Sequence, residues 1–599
     1  MTSTIKNVAL SLDKSLKRLT LVQLVVPVVL LVVGISGGLL QALMRAGIIR
    51  AESAMGLEYY QGLTLHGIIN AIVFTTFFAV AFGNVIVAYA LKSKLNMKMA
   101  WLSGILMLVG TLMVAIMVFL GEGSVLYTFY PPLKAHPIFY IGLALFVVGS
   151  WVGFWTWIPA YLKWRRENPG SKTPMAVVGI FTTFIVWQLC TIPVAYEVLV
   201  LLLPWSLGWT DTLNVELART LFWFFGHPLV YFWLLPAYTM YYSMLPRLAG
   251  GKLFSDRAGR IVFMLFVILS IPVGAHHQFT EPGIGSDWKL LHSFLTFGVA
   301  IPSLITAFTI AASLEYAGRK RGGKGLFGWF KTLPYFEKDN YLFPYLFVGL
   351  VIFIFGGISG IINASYNLNL VVHNTAWMPG HFHMTVAGPV FLAFIGMSLF
   401  LLEKVSGKEL KMKPVATAVP YVWIAGLFTF SLGMMRGGLH GEPRRTNLGL
   451  TYLNPDSPLY RPDWELWVMI TAIGAVVLFI GMLLYFLVFF STLFGEKTKE
   501  PVLELPLSEA YHNEKAGVFA NFKPWVTAAI ILIVLSYTPV LYDVMRSTAF
   551  GGEPITPGGQ RVGTVVEEPA EAEPPAADAG DQETTPEETA TEQSQSDQP

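Results

Sequence analysis

The chain has 599 residues, 54% of them hydrophobic and only 13% charged, with 40 basic and 38 acidic side chains and a single cysteine, Cys190. This composition excludes a soluble enzyme, and no nucleic-acid partner is expected. One cysteine excludes internal disulfides, paired-cysteine zinc sites and Cys-x-x-Cys-His cofactor attachment, so any metal must be held mainly by histidine.

Many apolar runs reach the roughly 20 residues that span a bilayer. They are too long and too uniformly apolar for barrel strands. The fold expected is therefore all-α, a polytopic membrane bundle of about thirteen transmembrane helices. Taken in order, the runs lie near 20–46, 60–91, 98–120, 136–162, 175–203, 215–245, 258–281, 288–315, 339–362, 371–402, 414–436, 464–494 and 523–545. Lys14, Lys17 and Arg18 precede the first run, which reads as an uncleaved span. Residues 1–550 form the bundle. Residues 551–599 carry twelve acidic residues against one basic residue, Arg561, and read as an acidic, disordered C-terminal tail.

Basic residues set the orientation. Lys92, Lys94 and Lys98 follow the second run, and Lys163, Arg165, Arg166 and Lys172 the fourth. The sixth, eighth, tenth and twelfth are followed by basic loops as well. The N-terminus is thus expected in the cytoplasm and the tail outside. The outer loop after the eleventh run breaks the pattern with Arg436, Arg444 and Arg445.

Six of the eleven histidines share one expected depth within the spans. His66 lies near the outer end of the second span. His227 lies in Gly226-His227-Pro228-Leu229-Val230-Tyr231 of the sixth. His276 and His277 lie near the outer end of the seventh, and His381 and His383 in the outer half of the tenth. Intramembrane histidines are costly and mark function. On a helix His381 and His383 point roughly 200° apart, which suits two neighbouring sites better than one. His276 and His277 would diverge by about 100°, but Pro272 and Gly274 just before them loosen the helix. With His227 they make a three-histidine site with an open position, suited to iron or copper. His66 and His383 can hold one heme iron from both sides, and His381 a second from one side. His136, His292, His440 and His512 read as loop or interfacial residues.

Tyr231 lies one turn beyond His227 on the same face. Tyr231, Tyr238 and Tyr242 form one helical stripe covering roughly 16 Å toward the cytoplasm. Thr306 and Thr309, three apart in the eighth span, can continue it. Hydroxyls with water relay protons without a buried charge, although each threonine also has a simpler use, bonding a backbone carbonyl.

At these residues the chain resembles subunit I of the heme-copper oxygen reductases, the cytochrome oxidases, over its first twelve spans. The resemblance implies that His66 and His383 ligate a low-spin heme, of b type, and His381 a high-spin heme, of a or b type. It implies that His227, His276 and His277 hold the copper called CuB, and that Tyr231 is cross-linked to His227. The reaction implied is four-electron reduction of O2 to water coupled to proton pumping, in the plasma membrane of a prokaryote. A-type members carry a glutamate where this chain has Leu229. The chain instead resembles the B-type branch, with its thirteenth span and one proton path matching Tyr231, Tyr238, Tyr242, Ser255, Thr306 and Thr309. Arg444, Arg445 and His373 should meet heme propionates. Asn369 stands where some B-type members have an acid, which weakens any mechanism needing a carboxylate there. The partners implied are a subunit II carrying a dinuclear copper center and cytochrome c or a small copper protein as donor, with quinol as the alternative. Two rivals make different predictions. A nitric oxide reductase would need glutamates beside a non-heme iron, and a cation transporter would bind no heme.

Overall fold

The computed structural model describes residues 13–50 and 56–549; the acidic tail expected from 551 onward lies outside the described residues. Among the described residues, twelve helices are long and apolar enough to cross a membrane. They match twelve of the thirteen expected runs. The remaining run, 258–281, is not one helix. It forms a 14-residue helix, Asp256–Leu269, and then a 3-10 turn, Gly274–Gln278. Pro272 explains the break: its ring removes an N–H and clashes with the preceding turn. The tenth run is also divided, into Tyr366–Val372 and a long segment from Trp377 to Ser406.

Helix starts follow from capping. Asn96 accepts from the amides of Lys98 and Met99 at 3.2 and 3.3 Å. His136 caps the Pro137–Glu167 helix by accepting from the Ile138 amide at 3.3 Å. Ser255 caps Asp256–Leu269 by accepting from the Ala258 amide at 3.1 Å. Each occupies an otherwise orphaned donor of a first turn.

Three helices form the centre of the bundle. The apolar windows of Tyr59–Ala90, Val215–Ser243 and Trp377–Ser406 are 94%, 83% and 83% buried, against 44% for Lys14–Arg45 and 22% for Lys523–Arg546. Those three carry His66, His227, His381 and His383. The outer helices present Phe294, Leu304 and Leu466, all exposed, where lipid would cover them. Two of the central helices widen into π turns, at Ile68–Phe74 and His383–Ala387, immediately after His66 and beginning at His383. Such turns are rare and cluster at functional sites.

At the end of the bundle with the basic loops, Leu253–Ser255 and Ala510–His512 pair as a short parallel ribbon, with Ser255 opposite His512. It pins the connection to the last helix, Lys523–Ala549, beneath the start of Asp256–Leu269.

Candidate metal centre

His227 comes from the central Val215–Ser243 helix, and His276 and His277 from the 3-10 turn. One ligand nitrogen from each lies within 4.8 Å of the others. His227 Nδ1 is 3.2 Å from His277 Nε2. Nitrogens sharing one ion at bonds of about 2 Å sit roughly 3 Å apart, so the donor set fits a bound metal. Although adjacent in sequence, the rings of His276 and His277 lie only 4.2 Å apart. Neighbours fix their orientation. His276 Nδ1 meets Thr296 Oγ1 at 2.8 Å, which leaves Nε2 free, and Trp223 stacks on His277 at 3.8 Å. His227 Nε2 is buried without a hydrogen-bond partner, and the Tyr231 ring lies 4.8 Å from the His227 ring.

His66 and His383 face one another with ring centroids 6.2 Å apart and planes 15° from parallel. Two metal–nitrogen bonds of about 2 Å and about 1 Å of ring on each side span about 6 Å, the separation of a bis-imidazole iron. His66 Nδ1 donates to the Gly34 carbonyl at 2.8 Å and His383 Nδ1 to the Pro379 carbonyl at 2.7 Å, so both leave Nε2 for a metal. Only glycine fits at position 38: an added Cβ would lie 2.5 Å from the His66 ring. His381 Nδ1 meets Ser359 Oγ at 2.9 Å, again leaving Nε2. All six imidazoles line one cavity of about 730 Å³, bordered by Phe430 beside His383 and Gly360 beside His381.

Arg444, Arg445 and His373 line the same cavity. Arg444 bonds Asn374 Oδ1 at 2.8 Å, and the Arg445 guanidinium lies 5.5 Å over the Tyr130 ring. Among the described residues no carboxylate pairs with either arginine. Burial, and next the Arg445 charge, push Arg444 down to about 10. Two adjacent cations without a carboxylate partner among the described residues are suited to an anion. His373 Nδ1 donates to Asn369 Oδ1 at 2.9 Å; Asn369 is itself fixed by donating to the Asn363 carbonyl at 2.7 Å.

In the tyrosine stripe Tyr231 is half-buried, whereas Tyr238 and Tyr242 are fully buried and linked to the neighbouring helix. Tyr238 donates to Ser303 Oγ at 3.3 Å and Tyr242 to Thr306 Oγ1 at 2.9 Å. Thr306 in turn donates to the Pro302 carbonyl at 2.8 Å, and Thr309 to the Ile305 carbonyl at 2.7 Å. Bonding the backbone carbonyl thus leaves the Thr306 hydroxyl able to accept from Tyr242, since it donates once and accepts once. Ser255 stands apart as a helix cap. Its strand reaches the Thr309 helix through the Phe254 amide, which donates to Ser313 Oγ at 2.8 Å.

Sequence reasoning missed Ser303, Thr296 and Ser359, single hydroxyls with no local pattern to mark them. It also missed the buried ion pair in which Arg45 Nη2 meets Glu442 Oε1 at 2.6 Å and ties the first helix to the loop bearing Arg444. His292, read as loop or interfacial, is a correction. It is fully buried and bonded at both nitrogens. His440 and His512 are exposed, and so is His136 beyond its cap.

Comparison with known proteins adds an independent line. The family model described as cytochrome c and quinol oxidase polypeptide I matches residues 18–477. Cytochrome c oxidase subunit 1 of Thermus thermophilus is 41% identical over 541 residues, covering 88% of this chain and 95% of that protein. Cytochrome c oxidase polypeptide 1 of Halobacterium salinarum is 28% identical over 440 residues, 68% of this chain and 69% of the other. A heme-copper terminal oxidase dimer solved by cryo-electron microscopy has a chain 52% identical, with a TM-score of 0.89 over 92% of this chain and 96% of its own.

Proposed function

The chain belongs to the family of cytochrome c and quinol oxidase polypeptide I, and on that premise we propose which of its residues perform which part of the reaction. It is subunit I of a heme-copper terminal oxidase, an enzyme that reduces O2 to water and pumps protons. Such a subunit works in a membrane with a subunit II and carries hemes and CuB.

In the proposed assignment His66 and His383 hold the low-spin heme, of b type, and His381 the high-spin heme, of a or b type. His227, His276 and His277 hold CuB. When bound, these groups deliver electrons to O2 and supply the metal pair between which it is reduced. Phe382, between His381 and His383, lies on the short route between the two heme positions. Arg444 and Arg445 clamp propionates, which the lack of a carboxylate partner for either among the described residues supports. Tyr231 gives up a proton at its phenol oxygen and is the partner for the unbonded His227 Nε2. Protons reach it along Tyr242, Thr306, Tyr238 and Ser303, with Thr309 and Ser255 nearer the surface.

The observation that carries this reading is the lining of one cavity by six imidazoles, with His66 and His383 at a bis-imidazole separation. We assign the chain to the B-type branch because Leu229 removes the acidic end of the other branch's path, while Tyr238 and Tyr242 of the tyrosine stripe are hydrogen-bonded to hydroxyls of the neighbouring helix. The basic loops after the even-numbered spans support a cytoplasmic N-terminus, and thirteen crossings, the broken seventh included, then leave the acidic tail outside. The donor side is a subunit II with a dinuclear copper center, fed by cytochrome c or a small copper protein. Metal and pyridine-hemochrome analysis of the purified enzyme tests the core of the proposal. Two hemes and one copper in this chain are expected; non-heme iron in place of copper overturns it. Turnover with reduced cytochrome c but not with quinol tests the donor.

A further inference from the structure

The turn that carries His276 and His277 follows a broken helix, and a broken helix leaves backbone groups without partners. The structure shows what takes them up. Tyr537, on the last helix, accepts at its phenol oxygen from the Gly274 amide at 2.9 Å and donates to the Ile271 carbonyl at 3.2 Å. One hydroxyl thus bridges both sides of Pro272. The next amide, of Ala275, donates to His292 Nδ1 at 3.3 Å, and His292 Nε2 donates back to the Ser536 carbonyl of the last helix at 3.1 Å. Tyr537 is only 2% exposed, and its ring lies flat on Phe224 at 3.6 Å with planes 1° apart. Phe224 is three residues before His227 on the helix that supplies the third imidazole. The fit is close: a Cβ at Gly274 would lie 2.3 Å from the Tyr537 oxygen and 2.1 Å from the Trp223 carbonyl.

We propose that the last helix is a brace for the three-histidine site, and that Tyr537 and His292 are positioning residues that hold His276 and His277 in register with His227. The inference rests on the copper assignment made above. It gives the last helix a task in the chemistry although none of its described side chains lines the cavity. Most of that helix is a poor packing element, with Ile531, Val534 and Leu535 all exposed, whereas Ser536 and Tyr537 are buried.

The test is Tyr537→Phe in the purified holoenzyme, which keeps the ring on Phe224 and removes only the bridge. Tyr542→Phe, at an exposed tyrosine of the same helix, is the control. The readouts are copper per heme after challenge with a copper chelator, and the infrared stretch of carbon monoxide bound to copper after photolysis. We expect Tyr537→Phe to lose copper at about 10-fold lower chelator concentration, in line with losing a supporting hydrogen bond of a ligand segment. The copper carbonyl band should shift and broaden, the low-spin heme spectrum should be unchanged, and Tyr542→Phe should match the parent. Parent-like chelator resistance and an unchanged carbonyl band in Tyr537→Phe overturn the brace. A parent enzyme without copper instead overturns the metal assignment beneath it. Should Tyr537→Phe lose its hemes, His292→Ala and His292→Gln take its place. Copper weakened in the alanine variant and restored by glutamine supports the brace; equal copper in both overturns it.

Discussion

Tyr242 donates its phenol hydrogen to Thr306 Oγ1 at 2.9 Å, and Thr306 passes its own to the Pro302 carbonyl. Both side chains are buried, at 0% and 1% exposure, so the pair cannot be replaced by bulk water. Thr306→Val keeps the shape and removes the acceptor. Steady-state O2 reduction should fall about 100-fold with both heme spectra intact, the low end of what a positioned proton-transfer group contributes. A Thr306→Val enzyme with full turnover would show that protons travel elsewhere.

Tyr231 tests the chemistry itself. Its ring lies 4.8 Å from that of His227, whose Nε2 has no other partner. Tyr231→Phe should retain both hemes and copper yet lose turnover by 100-fold or more, roughly the contribution of a positioned proton donor. Oxygen uptake at the parent rate in this variant would remove Tyr231 from the mechanism.

The His66–His383 pair predicts a selective loss. With the two rings 6.2 Å apart and each Nδ1 bonded to a backbone carbonyl, removing one leaves the iron site half-built. His383→Ala should abolish the low-spin heme bands while copper, held by three histidines from other segments, stays near one per chain. Retention of a six-coordinate low-spin spectrum would contradict the assignment.

Ser255 separates cap from relay. Its hydroxyl accepts from the Ala258 amide at the start of a helix. Ser255→Ala should cost about 1 kcal/mol of stability, the usual value of an N-cap. Ser255→Asp caps equally well, and it should restore the thermal midpoint. If stability returns but proton uptake does not, Ser255 acts in the path as well as in the cap.

The Arg45–Glu442 pair is buried on both sides, with side chains 5% and 1% exposed. Glu442→Gln leaves the guanidinium with an uncompensated charge. The expected loss is about 3–5 kcal/mol, the usual cost of breaking a buried pair. It should appear as a lower thermal midpoint, with early release of heme because the same loop presents Arg444 and Arg445. An unchanged midpoint would place the pair's value elsewhere.

Chain composition alone determined that this is a helical membrane bundle, because a backbone in lipid must satisfy itself and long apolar runs leave few other solutions. The histidine positions were equally legible. A charged or polar ring in such a run is conspicuous, and His66, His227, His276, His277, His381 and His383 all line the cavity. Tyr231, Tyr238 and Tyr242 were visible for a related reason, since spacing along one helix fixes which residues share a face.

Contacts between helices were not legible, because no local rule relates residues hundreds of positions apart. Ser303, Thr296 and Ser359 look like any other hydroxyl until a neighbouring helix brings a tyrosine or imidazole to them. The break at Pro272 was anticipated as a loosening, but the sequence did not say what would satisfy the freed backbone. Tyr537, more than 250 residues away, does so, and His292 moved from the expected surface to the interior for the same purpose. The sequence therefore decided which groups were available, through the cost of placing each in lipid. Only the packed bundle decided which groups meet, because hydrogen bonds and metal ligation depend on distances that chain order does not set.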